Sequence, residues 1–233
     1  NGVDGLPAAV GNGPAQPITG KDPQADQVAF IRFVLADIQD FWTDYFKQGG
    51  GQGQYERAKL VLFTEAINTG CGPASKEVGP FYCPADQRVY IDIGFMEELQ
   101  QRFSAQGDFA EAYIIAHEVG HHVQNLLGIP QQVDKRLQSH PDERNELSVR
   151  QELQADCFAG VWAHSTYERG ILEEGDIDEG LRAAAAVGDD RLGARSKEQW
   201  THGSSELRTK WFRQGFESGD ASSCDTFSDV DSF

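Results

Sequence analysis

His117, Glu118 and His121 stand in the stretch AYIIAHEVGHHVQ, residues 112–124, among side chains that are otherwise largely apolar. On a helix of 3.6 residues per turn His117 and His121 fall only about 40° apart, one turn above the other, so both imidazoles can address one ion. Glu118 is rotated by roughly 100° from His117. It cannot easily join the ion's own ligands, but it can reach a water held beside them. Two neutral nitrogen donors for Zn²⁺ and a carboxylate placed to accept a proton from water are what metal-assisted hydrolysis requires.

Ile114, Ile115, Val119, Val123, Leu126 and Leu127 make the rest of this helix apolar, so it should be buried. Ionisable groups on a buried helix require partners. Gly120 costs roughly 1 kcal/mol relative to Ala in a helix interior, which implies the close approach of another element or of the ion's third ligand. His122 is one residue out of phase and reads as an ordinary surface or packing histidine.

The third ligand is sought in RQELQADCFAGVW, where Glu152 and Asp156 are four apart and share one helix face. One carboxylate can complete a His₂Glu site with a fourth position left for water. The other can accept the N–H of a ligand histidine and fix its tautomer. We assign Glu152 as the ligand and Asp156 as the histidine's partner, giving His117, His121 and Glu152 as the metal set. His140 reads as part of a helix entry, and His164 lies three turns beyond Glu152, too far to share the ion.

Helices and a few strands must carry these residues. Apolar positions recur at three and four residues over 26–46, an amphipathic helix that KQGGGQGQ ends. KLVLFTEAI reads as a buried strand and QRVYIDI as an alternating, half-exposed one. A short helix is expected over 95–104, the opening motif's helix over 109–127 and a long one over about 143–168. DIDEGLRAAAAVG and SSELRTKWFRQGFESG supply two more, each stopped near a Gly. Strands early and helices later point to an α+β domain over residues 24–233. Residues 1–23, rich in Gly and Pro without apolar period, read as a flexible arm.

The 233 residues are 39% apolar, enough for one substantial core. No run of eighteen apolar residues suggests a membrane span. A chain beginning at Asn1 with no signal-like stretch reads as a processed or trimmed form. The net charge of −17, from 37 acidic and 20 basic residues, would repel nucleic acid, so no such partner is expected. Four cysteines suit two disulfides in an oxidising compartment. Of the three pairings we favour Cys71 with Cys83, around a Gly/Pro-rich turn, and Cys157 with Cys224, tying the C-terminal segment to the long helix. The acidic end, SGDASSCDTFSDVDSF, lacks an EF-hand pattern and reads as a solvated tail tethered by Cys224.

HEVGHHVQ followed by ELQADCFAGVW, with GPFYCPADQRVYID before and THGSSELR after, resembles the bacterial putative neutral zinc metallopeptidase family over nearly the whole folded body. More distantly the chain is similar to the gluzincin class, in which an HExxH helix is joined by a glutamate from a downstream ExxxD helix. That resemblance implies a zincin-like fold, Glu152 as ligand and Asp156 as support for a histidine. Membrane-associated gluzincins of the CAAX-processing type carry a histidine, with an arginine six residues later, that helps to stabilise the transition state. His202 and Arg208 stand at that spacing here, with Gly203 where those relatives have proline.

The reading that follows is an endopeptidase with one catalytic Zn²⁺, Glu118 as general base and His202, with or without Arg208, as the group that steadies the oxyanion. Peptide or protein would be its substrate. QRVYIDI is offered as an edge strand for extended substrate, with a plain sheet strand as the alternative. The location would be outside the cytoplasm, and a membrane tether through a segment absent from this chain stays open. Two rivals stand: a non-catalytic zinc-stabilised binding module, which has no use for Glu118, and another zinc amide hydrolase of the deformylase type, whose third ligand is a cysteine.

Overall fold

The three- and four-residue apolar spacing produces α1 (Ala25–Tyr45), which buries Ile31, Val34, Leu35, Ile38 and Trp42 and leaves Phe33 in solvent. A π-helical turn, Phe46–Gly50, closes it, with Gly49 taking the left-handed conformation that turns the chain. The computed structural model describes residues 24–51, 53–95, 107–194, 196 and 199–228. The expected arm, residues 1–23, lies outside them. So does the helix expected over 95–104, apart from its first residue.

Among the described residues five short strands follow: β1 (Lys59–Phe63), β2 (Ala66–Thr69), β3 (Gly72–Ser75), β4 (Phe81–Cys83) and β5 (Arg88–Asp92). β5 is the middle strand of a three-stranded sheet, parallel to β1 and antiparallel to β4. β2 and β3 form a separate antiparallel hairpin.

Two expectations are corrected here. KLVLFTEAI is two strands, because the chain turns at Glu65, whose φ is +69°, and the Gly/Pro-rich turn after it contains β3. QRVYIDI is a central strand with both edges paired, so it offers none to a substrate. Its expected outward residues are covered as well: Tyr90 and Asp92 are buried. Tyr90 packs with Phe63 and Cys83 in a small second core that Ile67 of the hairpin overlies. Asp92 accepts the Glu65 and Phe95 backbone N–H groups.

The helical layer comprises α2 (Asp108–Leu126), α3 (Ile129–Ser139), α4 (Arg144–Glu168), α5 (Asp176–Ala186), the single turn α6 (Asp189–Leu192) and α7 (Ser205–Ser218). α3 had no counterpart in the sequence reading. Its residues, IPQQVDKRLQS, bury only Val133, so no apolar stripe announced it. α4 is buried through most of its length because α2 and α7 both pack along it. The α4–α7 approach is backbone to backbone: a Cβ on Gly160 would lie 2.0 Å from the Phe212 carbonyl oxygen, and one on Gly215 1.9 Å from that of Cys157. Larger residues there would push the two helices apart.

Both favoured disulfides are present. Cys71–Cys83 joins the β2–β3 turn to β4, and Cys157–Cys224 fastens the segment after α7 to α4. That segment is clasped rather than solvated as expected. Cys224 and Thr226 are buried, the Thr226 hydroxyl donates to the Arg150 carbonyl at 2.7 Å, and the Arg150 guanidinium returns a bond to the Thr226 carbonyl. No helix among the described residues is long and apolar enough to cross a membrane.

Candidate metal centre

α2 carries His117, Glu118 and His121 across α4 at the level of Glu152 and Asp156. The crossing is close because Gly120 has no side chain. A Cβ there would meet the Ala155 carbonyl oxygen at 3.0 Å and its Cα at 3.1 Å. The neighbour implied by that glycine is therefore the backbone of α4, three residues past Glu152.

The crossing gathers three donors. His117 Nε2 lies 3.2 Å from His121 Nε2 and 3.2 Å from Glu152 Oε2, and His121 Nε2 lies 3.4 Å from Glu152 Oε1. Tetrahedral zinc, with ligand bonds of about 2.0–2.2 Å, holds neighbouring donors roughly 3.3–3.5 Å apart. The donor types suit zinc, the two imidazole nitrogens are at about that spacing, and Glu152 faces one nitrogen with each carboxylate oxygen, so this group could hold a metal ion. All four cysteines are in disulfides, so no thiol is available as a ligand.

Each histidine is oriented through its other nitrogen. His117 Nδ1 donates to Asp156 Oδ1 at 2.8 Å, an acceptor-only partner that leaves Nε2 as the nitrogen facing the centre. Asp156 is fully buried and also accepts from Tyr113 Oη at 2.5 Å and from Arg208 Nε and Nη2 at 2.8 and 3.0 Å. Arg208, itself buried, stands 3.9 Å from Glu152 Oε2. Its charge lies against both carboxylates of α4. His121 Nδ1 is 2.9 Å from Gln124 Oε1, one turn along the same helix. Tyr113 and Gln124 were missed in the sequence. The only signal was their spacing, four residues before His117 and three after His121.

Burial opposes charge on these groups, and their neighbours reverse it for all but Glu118. Without an ion between them, Asp156's charge and hydrogen bond, with a bond to Glu152, outweigh desolvation and push the His117 pKa up to about 10. Burial lowers that of His121 too, yet Glu152 raises it above the usual imidazole value. Burial would raise the Glu152 carboxyl, but His121 and His117 hold it well below the ordinary range. Glu118 is raised, chiefly by burial, against the pull of the two histidines and a backbone N–H from Tyr82 on β4.

Glu118 and the three donors line a 620 Å³ cleft whose other walls include Phe81, Phe95 and Val187. His202 is on its border, about half exposed, with Nδ1 2.9 Å from Thr201 Oγ1 and 3.2 Å from Asp189 Oδ1. Asp189 Oδ2 collects the backbone N–H groups of Thr201, His202 and Gly203 at 2.7, 2.7 and 2.9 Å, which builds the loop presenting His202. His122 points elsewhere. It is wholly buried, between Tyr82 Oη at 2.9 Å and the Glu56 carbonyl at 2.5 Å. His140 precedes a 3₁₀ turn, Pro141–Glu143, and His164 binds the Phe216 carbonyl at 2.7 Å, tying α4 to α7.

A small mixed sheet beside a helical layer, with an HExxH helix crossing a carboxylate-bearing helix, defines the zincin-like α+β class. The chain belongs to the putative neutral zinc metallopeptidase family, whose description matches residues 7–227. Among its relatives, the uncharacterised protein YpfJ of Escherichia coli K12 is 49% identical over 212 residues, 88% of this chain and 73% of that protein. The uncharacterised protein Rv2575 of Mycobacterium tuberculosis H37Rv is 48% identical over 193 residues, 76% of this chain and 64% of that protein. No solved structure matches the chain.

Proposed function

We propose that the protein is a zinc-dependent endopeptidase of the gluzincin kind, holding one Zn²⁺ through His117, His121 and Glu152. The observation that carries this reading is the convergence of His117 Nε2, His121 Nε2 and the Glu152 carboxylate, with Glu118 beside them on an open cleft. When bound, zinc would supply Lewis-acid polarisation of a carbonyl and acidify a water at neutral pH.

The chain's own residues do the rest. Asp156 and Gln124 keep both Nε2 lone pairs pointed inward, and Arg208 balances the charge that Asp156 and Glu152 bring into the interior. Glu118, on the same helix as the two histidines and lining the cleft, takes a proton from the attacking water and passes it to the amine leaving group. His202, at the rim of the cleft, donates to the oxyanion that forms at the scissile carbonyl. Arg208 lines the same cleft, its guanidinium held by Asp156. Peptide or protein is the substrate, and the two disulfides support a place outside the cytoplasm.

Digestion of casein by wild type and by Glu118→Gln tests the activity. Cleavage by wild type that Glu118→Gln reduces by at least about 10²-fold is expected for a lost general base. Equal cleavage by both would refute the role of Glu118.

A further inference from the structure

The orientation of His121 does not end at Gln124. Both amide hydrogens of Gln124 Nε2 are taken, by the Gln151 carbonyl at 2.7 Å and by Gln154 Oε1 at 3.0 Å. Gln154 in turn donates through its own Nε2 to the Cys224 carbonyl at 3.0 Å. Gln124, Gln154 and Cys224 are out of solvent, 1%, 7% and 1% exposed.

The direction of the chain of bonds is set at its ends. Main-chain carbonyls can only accept. The Cys224 carbonyl therefore requires the NH₂ of Gln154, which turns its oxygen to Gln124. The Gln151 carbonyl and that oxygen together require the NH₂ of Gln124, which turns its oxygen to His121 Nδ1. His121 must then carry its proton at Nδ1, which leaves Nε2, the nitrogen beside Glu152 and His117, as the one that can bind an ion. His117 is held by a charged carboxylate, whereas His121 is held by a neutral relay that begins in the C-terminal segment. That segment is fixed to α4 by Cys157–Cys224, and Cys157 is three residues past Gln154.

We propose that Gln154 and the disulfide-anchored Cys224 carbonyl are positioning elements of the metal centre, acting on His121 through Gln124. The proposal rests on the zinc reading above, and it adds that the C-terminal segment helps to set zinc affinity. A partner group of this kind is worth about 10- to 100-fold in metal affinity.

The test is zinc affinity of the full chain, by chelator competition, for wild type, Gln124→Leu, Gln154→Met and the double variant, with circular dichroism to verify folding. Gln124→Leu should weaken zinc binding about 10- to 100-fold, and Gln154→Met should weaken it by less. The double variant should lose no more than Gln124→Leu alone, because Gln154 works only through Gln124. Gln124→Glu keeps an acceptor toward His121 Nδ1 and should bind zinc more tightly than Gln124→Leu. Imidazole ¹⁵N spectra of the zinc-loaded protein give a second reading that packing alone would not move: His121 should be the Nδ1–H form in wild type and mixed in Gln154→Met. Wild-type affinity in Gln154→Met, additive losses in the double variant or an unchanged His121 tautomer would each overturn the relay while leaving the zinc reading intact. A wild type that binds no zinc would overturn both.

Discussion

Gly120 on α2 packs directly on Ala155 of α4, a Cβ on Gly120 falling 3.0 Å from the Ala155 carbonyl oxygen and 3.2 Å from its Cβ. This contact sets the separation of the two helices at the point where one supplies His117 and His121 and the other Glu152. The donors are 3.2–3.4 Å apart because the backbones can come this near.

Gly120→Val should therefore damage the metal centre more than the fold. Forcing a branched side chain into this contact costs about 1–3 kcal/mol of overpacking. The helices separate to relieve it, and Glu152 moves away from the histidines. Denaturant unfolding should show a moderate loss, and chelator competition a much larger fall in zinc affinity than that loss alone would produce.

Asp156→Ala should be the more destabilising change. It removes the acceptor of His117, Tyr113 and Arg208 at once, and leaves the Arg208 guanidinium buried with Glu152 at 3.9 Å as its remaining carboxylate. Breaking a buried ion pair from one side costs about 3–5 kcal/mol. An Asp156→Ala, Arg208→Met double variant should recover part of that stability without recovering zinc affinity, since His117 still lacks its partner.

The pH dependence should reverse when zinc binds. In the ion-free protein the raised His117 pKa stabilises the fold fully below the unfolded value of about 6.5, and this contribution is lost as pH rises toward about 10. A metal ligand must be deprotonated, so zinc competes with that proton. Zinc affinity should rise with pH across the neutral range, with protons released on binding, while the ion-free protein becomes less stable over the same range. Melting curves with and without zinc between pH 6 and 9 check both slopes.

The parts of the site that follow helix geometry were legible in the chain. His117 and His121 four apart, and Glu152 and Asp156 four apart, need only the helical repeat to be placed on one face each, and Gly120 marked the close neighbour. Partners supplied across the fold were not legible. Asp189 draws three backbone N–H groups from residues 201–203 twelve to fourteen positions away, a contact no local pattern encodes. Arg208 was placed by resemblance near the substrate and does line the cleft, but the bonds of its guanidinium to Asp156 inside the fold could not be read from the chain. Alternation in QRVYIDI distinguished two faces of a strand but not whether a neighbour covers the second, and the hairpin stapled by Cys71–Cys83 does.

Elemental analysis of purified wild type beside Glu152→Ala tests the central claim most directly. One zinc per chain in wild type, lost in Glu152→Ala while the helical circular dichroism signal is retained, is the predicted result. Wild type without zinc after reconstitution, or Glu152→Ala holding zinc as tightly as wild type, would contradict the assignment of His117, His121 and Glu152 as a metal centre.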